Sequence, residues 1–435
     1  MKSAANVSRA EIVELHRRHV WPPYTSADEH ASIDPLVIVH AEGSYLEDKN
    51  GKRYIDGNGS WWTNVLGHGH PRLIRALREQ SETLLHCASS MIANPQAALL
   101  AAEIVAVAPK GISRAHFSDD GSTAVEVAIK TAFQYWQQNG RERRVRFIAL
   151  SGAFHGDTLG AVSLGGVAAF RNVFAPLVFD VLHAPVDDVD GFEKAVHAIE
   201  KILETKSDEI AAVIVEPLIQ GAAGMRMWPA ALLRRIREAT SKADTFLIAD
   251  EVFTGYGRTG TMWACDQAQV SPDLLCTAKS FSGGVLPMAA TLSTERVYEG
   301  FKGDRSRALM HGHTFSGNAL GASVAREVLA IYEDEKILDQ IALKHKRIAQ
   351  AFAKLQDLPG VVRTRSLGMV GACDVGSGGY AGKSGWRVYE HGLSMGAFLR
   401  PLGDTVYITP RFNIEDSVLD RLLEIVAESI RLSVR

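Results

Sequence analysis

The 435-residue chain is 46% hydrophobic and 22% charged, the balance of a folded globular protein with room for a large unit and a smaller one. A formal charge of −3 gives no electrostatic case for binding nucleic acid or an anionic membrane surface. Cys87, Cys265, Cys276 and Cys373 lack metal or disulfide spacing, no apolar run reaches transmembrane length, and the first twenty residues hold no apolar signal core, so a reduced, cytoplasmic setting is expected.

Residues 8–19 read as a short polar helix, and the prolines of Trp21-Pro-Pro-Tyr24 then force an extended path. Residues 36–39 and 43–46, closing at Asn50-Gly51, predict a small antiparallel meander. In Asp56-Gly-Asn-Gly-Ser-Trp-Trp62 the adjacent Trp61 and Trp62 cannot both point inward on a strand, so at least one is expected to line a cavity. Apolar spacing predicts amphipathic helices over 71–85 and 96–107.

From there strand and helix signals alternate. Residues 115–118, 145–150, 211–215, 246–249, 274–278 and 289–293 read as strands, with a long helix over 123–136 after the first. Strands separated by helix-length segments define an α/β fold with a large, mostly parallel sheet. After about Gly317 the pattern is helical through Ile348. Short strands follow near 369–373 and 406–409, then a closing amphipathic helix. The expected division is a large domain over 60–330 and a smaller α+β domain from 1–59 and 331–435.

Two strands end in a single charged group, Asp250 and Lys279, and ligands of parallel sheets bind at the carboxyl ends of strands. An acid able to pair with a pyridinium nitrogen, beside an amine able to form a Schiff base, is the pairing that pyridoxal phosphate chemistry needs. Each residue alone has a plainer reading: Lys279 as a solvated strand end, Asp250 with Glu251 as a helix cap or ion-pair partner. Gly121-Ser122, between a strand and the long helix, adds a phosphate cradle at a helix N-terminus, although a simple serine cap is the commoner use. Phe154 could stack on a flat ring, with Asp157 at the same sheet edge. Gly255-Tyr-Gly-Arg-Thr-Gly260 matches the dinucleotide pattern but neither follows a strand directly nor opens a clear helix, so a loop shaping the cofactor pocket is preferred over a Rossmann oxidoreductase. The His-Gly-His pairs at 68–70 and 311–313 have no third ligand at suitable spacing, and no metal is expected.

Asp119-Asp-Gly-Ser122, Phe154-His-Gly-Asp157, Ile248-Ala-Asp-Glu-Val252, Gly255-Tyr-Gly-Arg-Thr-Gly260 and Lys279 together resemble the class III pyridoxal phosphate aminotransferases of fold-type I. Trp21-Pro-Pro-Tyr-Thr25, Gly59-Ser-Trp-Trp62, Glu216-Pro-Leu-Ile-Gln-Gly-Ala-Ala-Gly-Met225, His311-Gly-His-Thr-Phe315 and Leu399-Arg-Pro-Leu-Gly403 resemble its biotin-biosynthesis subgroup, over nearly the whole chain from Trp21 onward. The resemblance implies a homodimer with shared active sites, acting on small molecules: an amino donor, S-adenosylmethionine or lysine, and the keto acid 8-amino-7-oxononanoate. It implies that Lys279 carries pyridoxal 5'-phosphate and shuttles the proton, that Asp250 keeps the ring nitrogen protonated, and that Gly121 and Ser122 bind the phosphate. Gly312, His313 and Thr314 match a segment that reaches across a dimer interface, with Thr314 on the partner's phosphate. Tyr24, Trp61, Trp62, Phe154 and Asp157 are expected around the substrate, and Arg400 on its carboxylate.

The family usually has Tyr at Phe154, often Pro at His313 and Ser at Gly59; the lost hydroxyl at Phe154 and the extra imidazole at His313 bear on the donor. Ala222 replaces the glutamate typical of ornithine and GABA aminotransferases and argues against those two. An ω-aminotransferase for diamines or amino acids is the alternative.

Overall fold

Seven strands form the main sheet, in the order Ile112–Ser118, Ala289–Thr294, Leu274–Thr277, Phe246–Asp250, Ile210–Val215, Arg146–Leu150, Val181–Ala184. The computed structural model in which they are seen describes residues 7–186 and 191–433. All neighbouring pairs from Leu274–Thr277 to Val181–Ala184 are parallel; Ala289–Thr294 runs antiparallel to both of its neighbours. The central strands are near-continuous apolar runs because both faces are covered: every residue of Ile210–Val215 and Phe246–Asp250 is buried. Helix Gly121–Gln138 packs on one face through Ala124, Val125, Ala128 and Ala132, all fully buried. Small residues at that spacing let the helix backbone approach the sheet, which fixes the height of its N-terminus over the strand ends.

The meander is present as Ile38–Glu42, Tyr45–Asp48 and Arg53–Asp56, antiparallel throughout. A strand from the far end of the chain, Ala397–Phe398, adds to it in parallel, pairing with Ile55 and Asp56. This pairing carries Arg400 from the C-terminal region to the vicinity of Trp61. Arg363–Leu367, Val370–Asp374 and Thr405–Ile408 make a third sheet.

Arg363–Leu367 and Val181–Ala184 are among the strands that escape the sequence reading. Arg363–Leu367 alternates arginine and small polar residues, half-buried throughout, so its pattern lacks apolar contrast. Val181–Ala184 is a four-residue edge strand with only its ends buried. The segment containing the tryptophans is not a strand. Ser60, Trp61 and Trp62 are all left-handed, with φ of 46°, 62° and 74°. A non-glycine residue in that region costs about 1–3 kcal/mol, a strain that surrounding structure must hold in place.

Candidate active site

A cavity of about 580 Å³ opens where the carboxyl ends of the central strands meet the Gly121 helix end and the segments around Trp61 and Arg400. Tyr24, Trp61, Trp62, Gly121, Ser122, Phe154, Asp157, Asp250, Lys279 and Arg400 all line it. Trp62 is buried and Trp61 is half exposed, yet the left-handed turn turns both rings toward the same space. Tyr24 and Lys279 are also left-handed, so four lining side chains sit on strained backbone.

Asp250 ends its strand in register with Cys276, three residues before Lys279. One carboxylate oxygen lies 2.7 Å from Nδ1 of His155 and the other accepts from the Val252 amide at 3.1 Å. The His155 side chain is buried, and its Nε2 has no partner among the described residues. The Lys279 ammonium lies over the Trp62 ring, 5.2 Å from its centre. Burial pushes the Lys279 amine below its ordinary value, against the opposing pull of Asp250 and Glu216.

Glu216, which the sequence reading did not single out, is buried at the floor of this group. Its two carboxylate oxygens accept from the amides of Phe154 and Gly221, each at 2.9 Å, so it pins two loops at once. Burial, with Asp250 adding to it, raises its carboxyl to about 7. Glu251 points the other way. It accepts from the Thr254 hydroxyl at 2.6 Å and from the amides of Ala264 and Cys265, which makes it a cap for the helix Ala264–Ala268 rather than a site residue.

At the helix end the cap is Asp120, not Ser122. Its side chain accepts from the Thr123 amide at 2.9 Å. Ser122 is used differently: its hydroxyl accepts from the Asp157 amide at 3.0 Å. The backbone at Gly121 faces the cavity, and a Cβ there would meet Val252 at 2.7 Å. The first amides of a helix have no partner within the helix and carry its positive end. The cradle, the Asp250 carboxylate and the Lys279 amine therefore match the phosphate, ring nitrogen and aldehyde of a pyridoxal phosphate in chemistry. His155, paired with Asp250 from behind, orients that carboxylate.

The remaining wall is aromatic. The Tyr24 hydroxyl donates to the Asp157 carboxylate; burial first, then Asp157, holds the phenol well above its ordinary range. Tyr24 lies against Trp61 at 6.1 Å between ring centres, and the Arg400 guanidinium lies 4.8 Å from the centre of the Trp61 ring. Arg400 has no ion pair among the described residues, so its charge is available to an anion. Phe170 and Tyr380 line the same wall and carry no motif that sequence reading could have used.

Three expected site residues do not line the cavity of this chain: Gly312, His313 and Thr314. Gly312 and Thr314 are exposed, and Nδ1 of His313 lies 3.0 Å from the Asp119 carboxylate. The Gly255–Gly260 segment also corrects the expectation of a pocket-shaping loop. It packs behind the cavity, with Arg258 fully buried and bonded to the carbonyls of Trp62 and Pro410. The histidines of the His-Gly-His pairs already have protein partners: His68 on Asp56 at 2.9 Å, His70 on Glu335 at 3.4 Å, His311 on His313 at 3.0 Å.

A strand-end acid and amine, a glycine at a helix N-terminus and a tryptophan-lined mouth are the features of an aminotransferase site. The chain belongs to the class-III aminotransferase family, whose sequence model matches residues 25–430. Among curated relatives, the adenosylmethionine-8-amino-7-oxononanoate aminotransferase of Geobacter sulfurreducens is 38% identical, over 95% of this chain and 96% of its own length. The enzyme of the same name from Nitratidesulfovibrio vulgaris is also 38% identical, over 97% of this chain and 82% of its own. The crystal structure of the Methanocaldococcus jannaschii enzyme of that name superposes with a TM-score of 0.94 at 34% identity, covering 98% of this chain and 99% of that one. A PLP-bound amine transaminase from an uncultivated Pseudomonas species superposes at 0.90 with 27% identity, covering 96% and 99%.

Proposed function

We propose that this aminotransferase uses pyridoxal 5'-phosphate to move an amino group from a donor, S-adenosylmethionine or lysine, to the ketone of 8-amino-7-oxononanoate, forming 7,8-diaminononanoate for biotin biosynthesis. The observation that carries the reading is the layout of the cavity: Lys279 and Asp250 at adjacent strand ends, and Arg400, with no ion pair among the described residues, reached along an aromatic wall. An acceptor with its ketone and its carboxylate separated by a methylene chain suits that layout. The names of the relatives point to the same acceptor.

When bound, the cofactor supplies the electron sink that stabilises negative charge on the substrate carbon. The amides at Gly121 and Ser122 would hold its phosphate, and Asp250 would hold a proton on its ring nitrogen, oriented by His155. Burial lowers the Lys279 amine, so Nζ is able to take the proton from the reacting carbon and return it at the next position. Trp61, Trp62 and Tyr24 exclude water around the reacting atoms, while Arg400 binds the far carboxylate through two parallel N–H bonds.

A homodimer is part of the same reading. Met91, Trp21, Met310, Phe315 and Leu85 are exposed apolar side chains, and Gly312 to Thr314 stand away from this chain's own cavity, as residues serving a partner's site would. A cytoplasmic setting agrees with four free cysteines; among the described residues no helix is long and apolar enough to cross a membrane.

The test is product formation. The purified enzyme, loaded with cofactor, is given 8-amino-7-oxononanoate with each donor in turn, and 7,8-diaminononanoate is followed by mass spectrometry. Product with one of the two donors supports the reading and names the donor. No product with either, but amino transfer from simple diamines or amino acids to a keto-acid acceptor, replaces it with an ω-aminotransferase of another substrate class.

A further inference from the structure

Phe170 and Tyr380 line the cavity yet have no part in the chemistry above. The Phe170 ring packs against Tyr24 at 5.4 Å, Phe154 at 5.3 Å and Tyr380 at 5.1 Å between centres. Through Tyr24 and Trp61 this cluster runs on to the Arg400 guanidinium. The result is one continuous aromatic strip with the Arg400 cation on it.

Tyr380 is delivered by the loop Gly376-Ser-Gly-Gly-Tyr-Ala-Gly382, a composition that alone would leave the ring poorly fixed. Asp404 fixes it. Its buried carboxylate accepts from the amides of Gly378 at 2.7 Å and Ser384 at 2.9 Å. Its own amide donates to the Gly379 carbonyl at 2.9 Å, and its carbonyl accepts from the Val375 amide at 2.9 Å. A Cβ on Gly382 would fall 2.1 Å from that carboxyl group, so the loop's glycines permit the close approach. Asp404 lies four residues after Arg400 in the same turn. The loop that presents Tyr380 is thus fastened to the turn that presents Arg400. The two side chains also sense each other, since Arg400 opposes the rise that burial imposes on the Tyr380 phenol.

We infer that Tyr380 is a specificity-determining residue for the keto acid: its ring forms the wall for the methylene chain, and the Asp404 fastening sets that wall's distance from Arg400. The inference rests on the proposed function for the nature of the acceptor. It selects acceptors that are linear and apolar between ketone and carboxylate, and it leaves the donor half of the reaction alone.

The test compares wild type, Tyr380→Phe and Tyr380→Ala as holoenzymes, with 8-amino-7-oxononanoate and its homologues one and two methylenes shorter. Tyr380→Ala is expected to raise the acceptor KM about tenfold, the scale of an apolar pocket contact, and to flatten the dependence on chain length. Its kcat, donor KM and cofactor absorbance stay within about twofold of wild type, and Tyr380→Phe, which keeps the ring, behaves as wild type. An unchanged acceptor KM and length profile in Tyr380→Ala overturns the inference, as does an equal loss in kcat and both KM values, which would mark a role in folding only. A wild type that aminates no member of the series overturns the substrate reading and this inference with it; a wild type that does so separates the two.

Discussion

Replacing Arg400 by Met should remove most of the enzyme's preference for a carboxylate at the far end of its acceptor. The guanidinium lies 4.8 Å from the centre of the Trp61 ring and has no ion pair among the described residues, so no internal carboxylate competes for it. Hydrogen bonds to charged groups contribute about 1.5–3 kcal/mol each in favourable settings. Arg400 is only half-buried and solvent screens the pair, so a total of about 2 kcal/mol is the reasonable figure. That converts to an acceptor KM about thirtyfold higher. Met keeps apolar cover over Trp61, which limits the loss to the charge and its hydrogen bonds. The assay is steady-state kinetics of wild type and variant with 8-amino-7-oxononanoate and with its terminal amide, a cycle that isolates the carboxylate–arginine coupling. Wild type should prefer the acid by about thirtyfold, and the variant should treat both alike. An undiminished preference in the variant would refute the assignment of Arg400.

Other consequences follow from individual contacts. Lys279→Ala should abolish transamination, while the cofactor-free variant should melt at or above the wild-type temperature at neutral pH, because it removes an amine whose charged form burial disfavours. Gly121→Ala puts a Cβ 2.7 Å from Val252 and should weaken cofactor retention about tenfold; Val252→Ala in the same chain should restore much of it, read by titrating cofactor into the apo protein. Glu251 is raised from 4.5 to about 7 by burial, so its native carboxyl holds its proton where the unfolded one has lost it. That penalty on folding is absent below pH 4.5, grows as pH rises, and is complete above about 7, where it reaches about 3 kcal/mol. Denaturant melts should therefore show Glu251→Gln gaining on wild type between pH 4.5 and 7; a constant difference across that window would contradict the assignment.

The central strands were legible because burial on both faces writes itself as unbroken apolar runs, and because the polar residues that end them, Asp250 and Lys279, stand out against those runs. The helix end at Gly121 was legible for the same reason, although its cap proved to be Asp120. Among the missed strands, Arg363–Leu367 and Val181–Ala184 carry no such contrast. Within the site, Glu216 was hidden because its role is to accept two amides from loops, a role any buried acid could play. Phe170, on the one-turn helix Ala168–Arg171, and Tyr380, in a glycine-rich loop, have local sequence that says nothing about where they point. The left-handed run Ser60–Trp62 could not be read at all, since no glycine marks Trp61 or Trp62 and only tertiary contacts hold them there. Local pattern thus revealed the chemistry at the strand ends, and long-range packing decided the wall that meets the substrate.

The proposed substrate is tested most directly by the visible absorbance of the purified, cofactor-loaded protein on adding 7,8-diaminononanoate with no acceptor present. The cofactor's long-wavelength band should bleach as the diamine gives up its amino group, and 8-amino-7-oxononanoate should appear in equal amount. A band that persists under saturating diamine would contradict the proposed substrate.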